Sequence, residues 1–173
     1  VRVWELQPPE GEPSVEWVLL TTEPIDTVAE LATVVDCYRS RWVIEEFFKA
    51  LKQGCSLEKR QLESYQALSN ALAVFLPIAW RLLLMRSLAR VAPEQPATMI
   101  LSEPQLLLIK FKLRLPAVPQ TIEQALFAVA RLGGHLKNNG APGWQTLGRG
   151  YQKLLDYEIG FRAARSLTRS DQS

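Results

Sequence analysis

Five polar side chains spaced along residues 38–52 could act on a phosphodiester backbone. A helix advances about 100° per residue, which would place all five on one narrow stripe. Cations and a tyrosine hydroxyl can hold phosphates, and a carboxylate among them can bind a divalent metal ion that activates water or a 3′-hydroxyl for in-line attack. One carboxylate is too few by itself, because two-metal sites need several oxygen ligands. The five residues are Tyr38, Arg41, Glu45, Lys49 and Lys52.

An ordinary solvated helix face is the alternative explanation for these residues. Arg41 and Glu45 have the i, i+4 spacing of ion pairs that stabilise exposed helices. Two details weaken this explanation and suit phosphate chemistry: one carboxylate stands inside a row of cations, and the segment follows a strand that is predicted to be buried. The opposite side of the helix is apolar and is expected to pack into a core. Its side chains are Cys37, Ile44, Phe47, Phe48 and Leu51.

Two strands are predicted ahead of this segment, over residues 1–6 and 15–22. Both runs favour β structure by residue type, and the Pro- and Gly-containing stretch between them indicates a hairpin-like loop. The second run contains Trp17-Val18-Leu19-Leu20, which is continuously apolar. Such a strand is usually buried on both faces, so we expect it in the middle of a sheet.

Helices are predicted for most of the remaining chain. Thr27 and Glu30 have capping-box spacing and open a helix that we expect to run to about Gln53, with Gly54 as its stop. Later boundaries are indicated by Pro and Gly residues between apolar periodic segments. These segments predict helices over residues 64–90, 103–111, 122–132 and 144–166.

The composition narrows the classes of function. With 173 residues and 47% hydrophobic content the chain can bury a core. Its net charge is only +2, so an argument for nucleic-acid binding depends on where the charges lie. Two cysteines outside a CxxC pair and a single histidine exclude a Cys/His zinc site and favour a reducing compartment. The most apolar run, residues 71–80, is shorter than the roughly 20 residues of a membrane span, and we expect it in a buried core helix.

A family resemblance rests on the stretch from Tyr38 to Lys52. It matches the Tyr-(2)-Arg-(3)-Glu-(6)-Lys signature of the insertion-sequence-four family of DDE transposases, without a gap. Four fixed residue types at three fixed spacings are a specific pattern. Residues 17–24, residues 130–134 and the pair Gly143-Trp144 also resemble the transposon-five type of enzyme within this family, so the resemblance covers nearly the whole chain.

The resemblance implies a catalytic metal centre. In this family an RNase H-like domain uses two aspartates from earlier strands and one helical glutamate, which Glu45 matches, to bind Mg²⁺ (or Mn²⁺). The matching aspartates would precede Val1. Asp26 at a helix start and Asp36 on another side of the helix are poor substitutes. We therefore expect a fragment that binds the ion only when the missing aspartates are supplied, and that is inactive by itself.

The same match implies contacts with DNA. Tyr38, Arg41 and Lys52 would bind phosphates at the transposon end, and Lys49 would add a further contact. Trp17 resembles the tryptophan that receives a flipped base in this family. An aromatic face suits that role because it replaces the stacking energy that the base loses. Without the resemblance, Trp17 would be interpreted as a core residue.

The resemblance also implies an architecture and a partner. The expected fold class is an α+β fragment, mostly α. Residues 1–92 would form the carboxy-terminal end of an RNase H-like domain, with two strands and long helices, and residues 93–173 an all-α dimerisation subdomain. In the family this helical tail pairs two transposase molecules, although the same apolar stripe could pack inside the subdomain. The candidate pairing residues are Leu155, Ile159, Gly160 and Ala163.

The resulting hypothesis is a cut-and-paste DNA transposase that nicks strands, forms hairpins and transfers strands at transposon ends. Its expected partners are transposon-end double-stranded DNA and a second copy in the synaptic complex, with no membrane and no small-molecule substrate. The expected location is the bacterial cytoplasm, at the nucleoid when bound to DNA. The alternatives are a truncated, non-catalytic inhibitor or gene remnant that dimerises with a full-length transposase, and an unrelated helical interaction module.

Overall fold

The computed structural model describes residues 1–136 and 138–170. The chain divides into two compact units, Val1–Glu45 and Glu46–Ser173. A two-stranded sheet lies in the first unit and most of the helices lie in the second. The expectation of a mostly helical α+β chain is confirmed. The functional boundary expected at residue 92 stays a prediction.

The first unit opens with a β-hairpin. Strand β1 (Arg2–Trp4) pairs antiparallel with β2 (Glu16–Val18). The loop between them is closed by the Glu5 amide, which donates to the Val15 carbonyl over 2.9 Å. The hairpin-like arrangement that the sequence predicts is therefore present, with shorter strands than expected.

Burial of β2 on both faces was expected, and that expectation is wrong. Val18 is 71% exposed and Leu20 is 98% exposed, whereas Leu19 is buried. Among the described residues, β1 is the only strand paired with β2. A continuous apolar run becomes a buried central strand only where neighbours cover both faces and both edges. The first unit does not supply them.

Helix α1 (Val28–Arg39) begins as the sequence predicts but ends early. The capping box is formed, because the Glu30 amide donates to Thr27 Oγ1 and the Thr27 amide donates to the Glu30 carboxylate. An unbroken helix to Gln53 is not formed. The Ser40 hydroxyl donates to the Cys37 carbonyl over 2.6 Å, a local bond that competes with helix continuation. The chain then continues as α2 (Trp42–Lys49) and a π-helical turn (Ala50–Gly54).

The second unit contains four further helices close to the predicted ranges. Serine and threonine hydroxyls cap three of them by accepting from the backbone amide three residues later. Residues 57–59 and 97–99 form short 3₁₀ turns. The helices are α3 (Tyr65–Val91), α4 (Glu103–Leu113), α5 (Ile122–Leu132) and α6 (Trp144–Ser170).

The core of the second unit is apolar and well covered. Helix α5 contributes seven buried residues and packs against α6, α3 and α4. Burial of each large aliphatic side chain contributes roughly 1.5–3 kcal/mol. The largest fully buried side chains are Leu82, Met85, Ile100, Ile109, Ile122, Val129, Leu147 and Leu154.

Glycines allow α6 to cross its neighbours with backbone touching backbone. A Cβ atom at Gly148 would lie 1.9 Å from the Gly54 carbonyl oxygen, at the end of the π-helical turn. A Cβ atom at Gly150 would lie 1.8 Å from the Val129 carbonyl oxygen on α5. These contacts fix the first turns of α6 against two elements at once.

Helix α3 is only partly buried and is not the fully buried core helix that the apolar run predicts. Phe75 and Ala79 are buried, but Val74 and Trp80 are 60% and 58% exposed. In the part of the chain that the structure describes, α3 is long and apolar enough to cross a membrane by length and composition alone, with 22% of its most apolar window buried. Core helices of soluble proteins can meet the same criterion, so this is weak evidence of a membrane span.

Candidate nucleic-acid interface

A chain of side-chain contacts in the first unit joins four of the predicted site residues. The Trp17 ring meets the Tyr38 ring edge-on, with centroids 5.1 Å apart. The Arg41 guanidinium lies 5.7 Å from the centre of the Tyr38 ring and 5.3 Å from that of Trp42. Arg41 also donates to Glu45 Oε1 over 2.7 Å. The order of contacts is therefore Trp17, Tyr38, Arg41, Glu45.

The Arg41–Glu45 ion pair dominates the electrostatics of this chain of contacts. The hydrogen bond to Glu45 and its charge raise the pKa of the Arg41 guanidinium, with a smaller contribution from Tyr38. Both side chains remain accessible, 46% and 36% exposed. Solvent and salt weaken such a pair, so a phosphate group can compete for Arg41.

The two predicted lysines lie in the second unit, and each contacts a carboxylate there. Lys49 Nζ lies 3.0 Å from Glu46 Oε1. Lys52 Nζ lies 3.0 Å from Glu58 Oε1. Both lysines are about half exposed, at 51% and 53%. Their ammonium groups therefore lie at the surface of this unit, where a phosphate group can reach them.

The predicted helical stripe requires two corrections. It assumed one α-helix, but the break at Ser40 and the wider π-helical turn at the other end change the rotation per residue. On the predicted core side Leu51 is buried, whereas Cys37 is exposed, and Ile44 and Phe48 are 57% and 48% exposed.

Burial of the second cysteine, Cys55, raises the pKa of its thiol to about 11, although Arg60 opposes the shift.

Glu45 by itself does not fit a complete magnesium site. One of its oxygens accepts from Arg41. Within residues 1–136 and 138–170, no group of three or more His, Cys, Asp or Glu side chains is placed to hold a metal ion. Two-metal catalysis needs several oxygen ligands. Glu45 can supply one of them.

The sequence reasoning missed a second charged cluster, in the second unit. Glu46 bonds Lys49 through one oxygen, and its other oxygen lies 3.9 Å from Arg90. Arg86 is one helical turn before Arg90, with its guanidinium 4.4 Å from the centre of the Trp144 ring. The detectable signal was the i, i+4 pair of arginines at the polar end of an otherwise apolar helix.

The predicted pairing residues are mostly at the surface of α6. Ile159 is 67% exposed, Gly160 and Ala163 are exposed, and Leu155 is half-buried. A groove of about 650 Å³ runs beside them between α4 and α6. Its apolar lining includes Leu107, Leu108, Phe111, Tyr157 and Phe161.

Comparison with known protein families finds a match in the first part of the chain. Residues 3–76 match the family described as transposase DDE domain. The match ends within α3, and helices α4 to α6 lie beyond it. This part of the chain is thus similar to a DDE transposase domain, which suggests a function in transposition. The matched range includes Trp17, Tyr38, Arg41, Glu45, Lys49 and Lys52.

Proposed function

We propose that this chain is part of an insertion-sequence-four type DDE transposase that binds transposon-end DNA. The observation that carries the proposal is the position of Glu45 beside Arg41 and Tyr38, within the range that matches a transposase DDE domain. The reactions would be strand nicking, hairpin formation and strand transfer, by phosphodiester hydrolysis and transesterification. Such a protein would work in the bacterial cytoplasm, at the nucleoid when bound to DNA.

The contacts of the first unit suit binding to a DNA strand. Arg41 offers a planar guanidinium that matches phosphate geometry, and Tyr38 offers a hydroxyl. Trp17 is half-buried against Tyr38, so an extruded base would stack on an aromatic face already held in place. In the second unit, Lys49 and Lys52 would contact further phosphates.

Glu45 would act as the helical carboxylate of the active centre. Together with further carboxylates it would bind Mg²⁺ or Mn²⁺. Arg41 holds the carboxylate in a defined orientation through its hydrogen bond to Oε1. The second oxygen of Glu45 is then available to a metal ion.

Glu45→Gln is expected to reduce excision of a marker flanked by the transposon's inverted repeats by more than about a hundredfold. That loss exceeds the 10–100-fold effect typical of outer-shell partners of a metal. The amide keeps the shape of the side chain but removes the charge that binds a cation. Excision in bacteria, with the whole reading frame expressed, measures the effect, and DNA binding by the purified variant should be retained.

Asp36→Asn is the matched control, because Asp36 is an exposed carboxylate that also pairs with an arginine, Arg39, at 3.3 Å. It should leave excision unchanged. Excision by Glu45→Gln at the level of Asp36→Asn would disprove the catalytic role. An inhibitor that acts only by pairing would be indifferent to Glu45→Gln.

We further propose that α6 pairs two copies of the chain. The exposed side chain of Ile159 and the apolar groove beside Gly160 support this, because an apolar groove next to an exposed apolar helix face can bury surface only against a partner. A Cβ atom added at Gly160 would meet no other atom within 4 Å, so a second helix could approach closely there.

Ile159→Glu is expected to shift the protein from dimer to monomer in light scattering, while far-ultraviolet circular dichroism shows that its helices stay folded. A charge at this position would have to be buried in the interface but stays solvated in the monomer. Leu136→Glu is the control, since Leu136 has the same 67% exposure and lies in a loop. Equal oligomeric states of the two variants would contradict pairing through α6.

A further inference from the structure

We propose that Lys49, Arg86 and Arg90, arranged around Glu46, form an additional site for the sugar-phosphate backbone of DNA on the second unit. This inference rests on the proposed function, since it names residues that would hold the same DNA. Arg86 and Arg90 lie in α3, beyond the range that matches the transposase family.

The cluster carries excess positive charge. Glu46 supplies one negative charge and divides it between two cations, with Oε1 on Lys49 at 3.0 Å and Oε2 near Arg90 at 3.9 Å. Among the described residues Arg86 forms no ion pair. The cluster thus contains three cations and one carboxylate, a net charge of +2 that an incoming anion can neutralise.

The surroundings of Arg86 favour binding of an anion. Burial lowers the pKa of the Arg86 guanidinium, the charge of Arg90 lowers it further, and Glu46 opposes both effects. A guanidinium whose charge is poorly solvated and repelled by a neighbouring cation gains more from an added anion than one in open water. Its position over the Trp144 ring, at 4.4 Å, limits its movement.

The geometry fits a phosphodiester backbone better than a carboxylate ligand. Arg86 and Arg90 are one turn apart on α3, so their guanidinium groups can contact one phosphate or two successive ones. Lys49 and Arg90 are 51% and 59% exposed, so a DNA strand can reach them without opening the core. Glu46 is only 25% exposed, and its ion pairs hold Lys49 and Arg90 close to each other.

The test is the salt dependence of binding to a duplex DNA of random sequence. The slope of log affinity against log salt falls by about one for each lost phosphate contact. Arg86→Gln and Arg90→Gln should each flatten the slope by about this amount. Arg86→Lys keeps the charge and should therefore keep the parent slope. Arg131→Gln, at an exposed position on α5, should also leave the slope unchanged.

Lys52→Gln separates this inference from the proposed function. If Lys52→Gln flattens the slope while both Arg86→Gln and Arg90→Gln behave like Arg131→Gln, the additional site is disproved and the signature contact stands. If the arginine variants flatten the slope and Lys52→Gln does not, the additional site is supported and the role of Lys52 fails. Melting temperatures of all variants exclude unfolding as the cause of a lost contact.

Discussion

Gly148→Ala is expected to destabilise the second unit by about 3 kcal/mol. The new Cβ atom would lie 1.9 Å from the Gly54 carbonyl oxygen and 2.5 Å from its carbonyl carbon. Both are backbone atoms, so rotation of a side chain brings no relief, and α6 must move away from the π-helical turn. Overpacking usually costs about 1–3 kcal/mol and occasionally more, and a backbone clash belongs at the upper end. Against a total stability of about 5–15 kcal/mol, such a loss is severe.

Gly160→Ala in the same helix is the matched control. A Cβ atom at Gly160 meets nothing within 4 Å, so in a monomer alanine adds helix propensity and should stabilise the unit by about 1 kcal/mol. Both glycine substitutions are therefore compared in an Ile159→Glu background, which removes the proposed pairing next to Gly160. Urea and thermal unfolding, followed by circular dichroism, measure both variants. A Gly148→Ala protein that unfolds at the same midpoint as the parent would show that the two backbones do not touch.

Helix positions were predictable because their signals are local. Thr27 and Glu30 form the expected capping box of α1, and Ser64 caps α3. Each cap is formed by a hydroxyl and an amide three residues apart, so it does not depend on distant parts of the chain. For the same reason α5 begins and ends at the predicted residues, 122 and 132.

The failed predictions depended on neighbours or on a competing local bond. Burial of Val18 and Leu20 required covering elements, about which an apolar run carries no information. At the break after α1, the Ser40 hydroxyl donates to the Cys37 carbonyl, a local bond that competes with the expected helix. A helical wheel takes account neither of covering elements nor of a side-chain hydrogen bond that competes with the helix.

The candidate site was predictable only where its residues lie close in sequence. The Arg41–Glu45 pair follows from the i, i+4 spacing and is present at 2.7 Å. The contact of Trp17 with Tyr38 joins a strand to a helix and required the fold. The same holds for Glu46 with Arg90, which are brought together by the packing of α3 in the second unit.

Backbone amides of the hairpin are expected to exchange with deuterium at least about a thousandfold faster than those of α5. Two-stranded hairpins are marginally stable in water. In the first unit Leu19 and Val34 are the buried apolar side chains, whereas α5 lies in a core of more than twenty buried residues. Opening of α5 should therefore require global unfolding, with a free energy of about 5 kcal/mol or more, and opening of the hairpin should not.

Hydrogen exchange followed by mass spectrometry or NMR tests this directly, with Leu19 and Val129 as reporter amides. The Leu19 amide donates to the Val1 carbonyl over 2.7 Å, so its exchange rate reports on the stability of the hairpin. Equal protection of both amides would mean that the hairpin opens only when the second unit unfolds. Weak protection would instead mean that Trp17, the proposed base-stacking residue, lies on a strand that opens easily, and that DNA binding must provide part of the free energy that orders it.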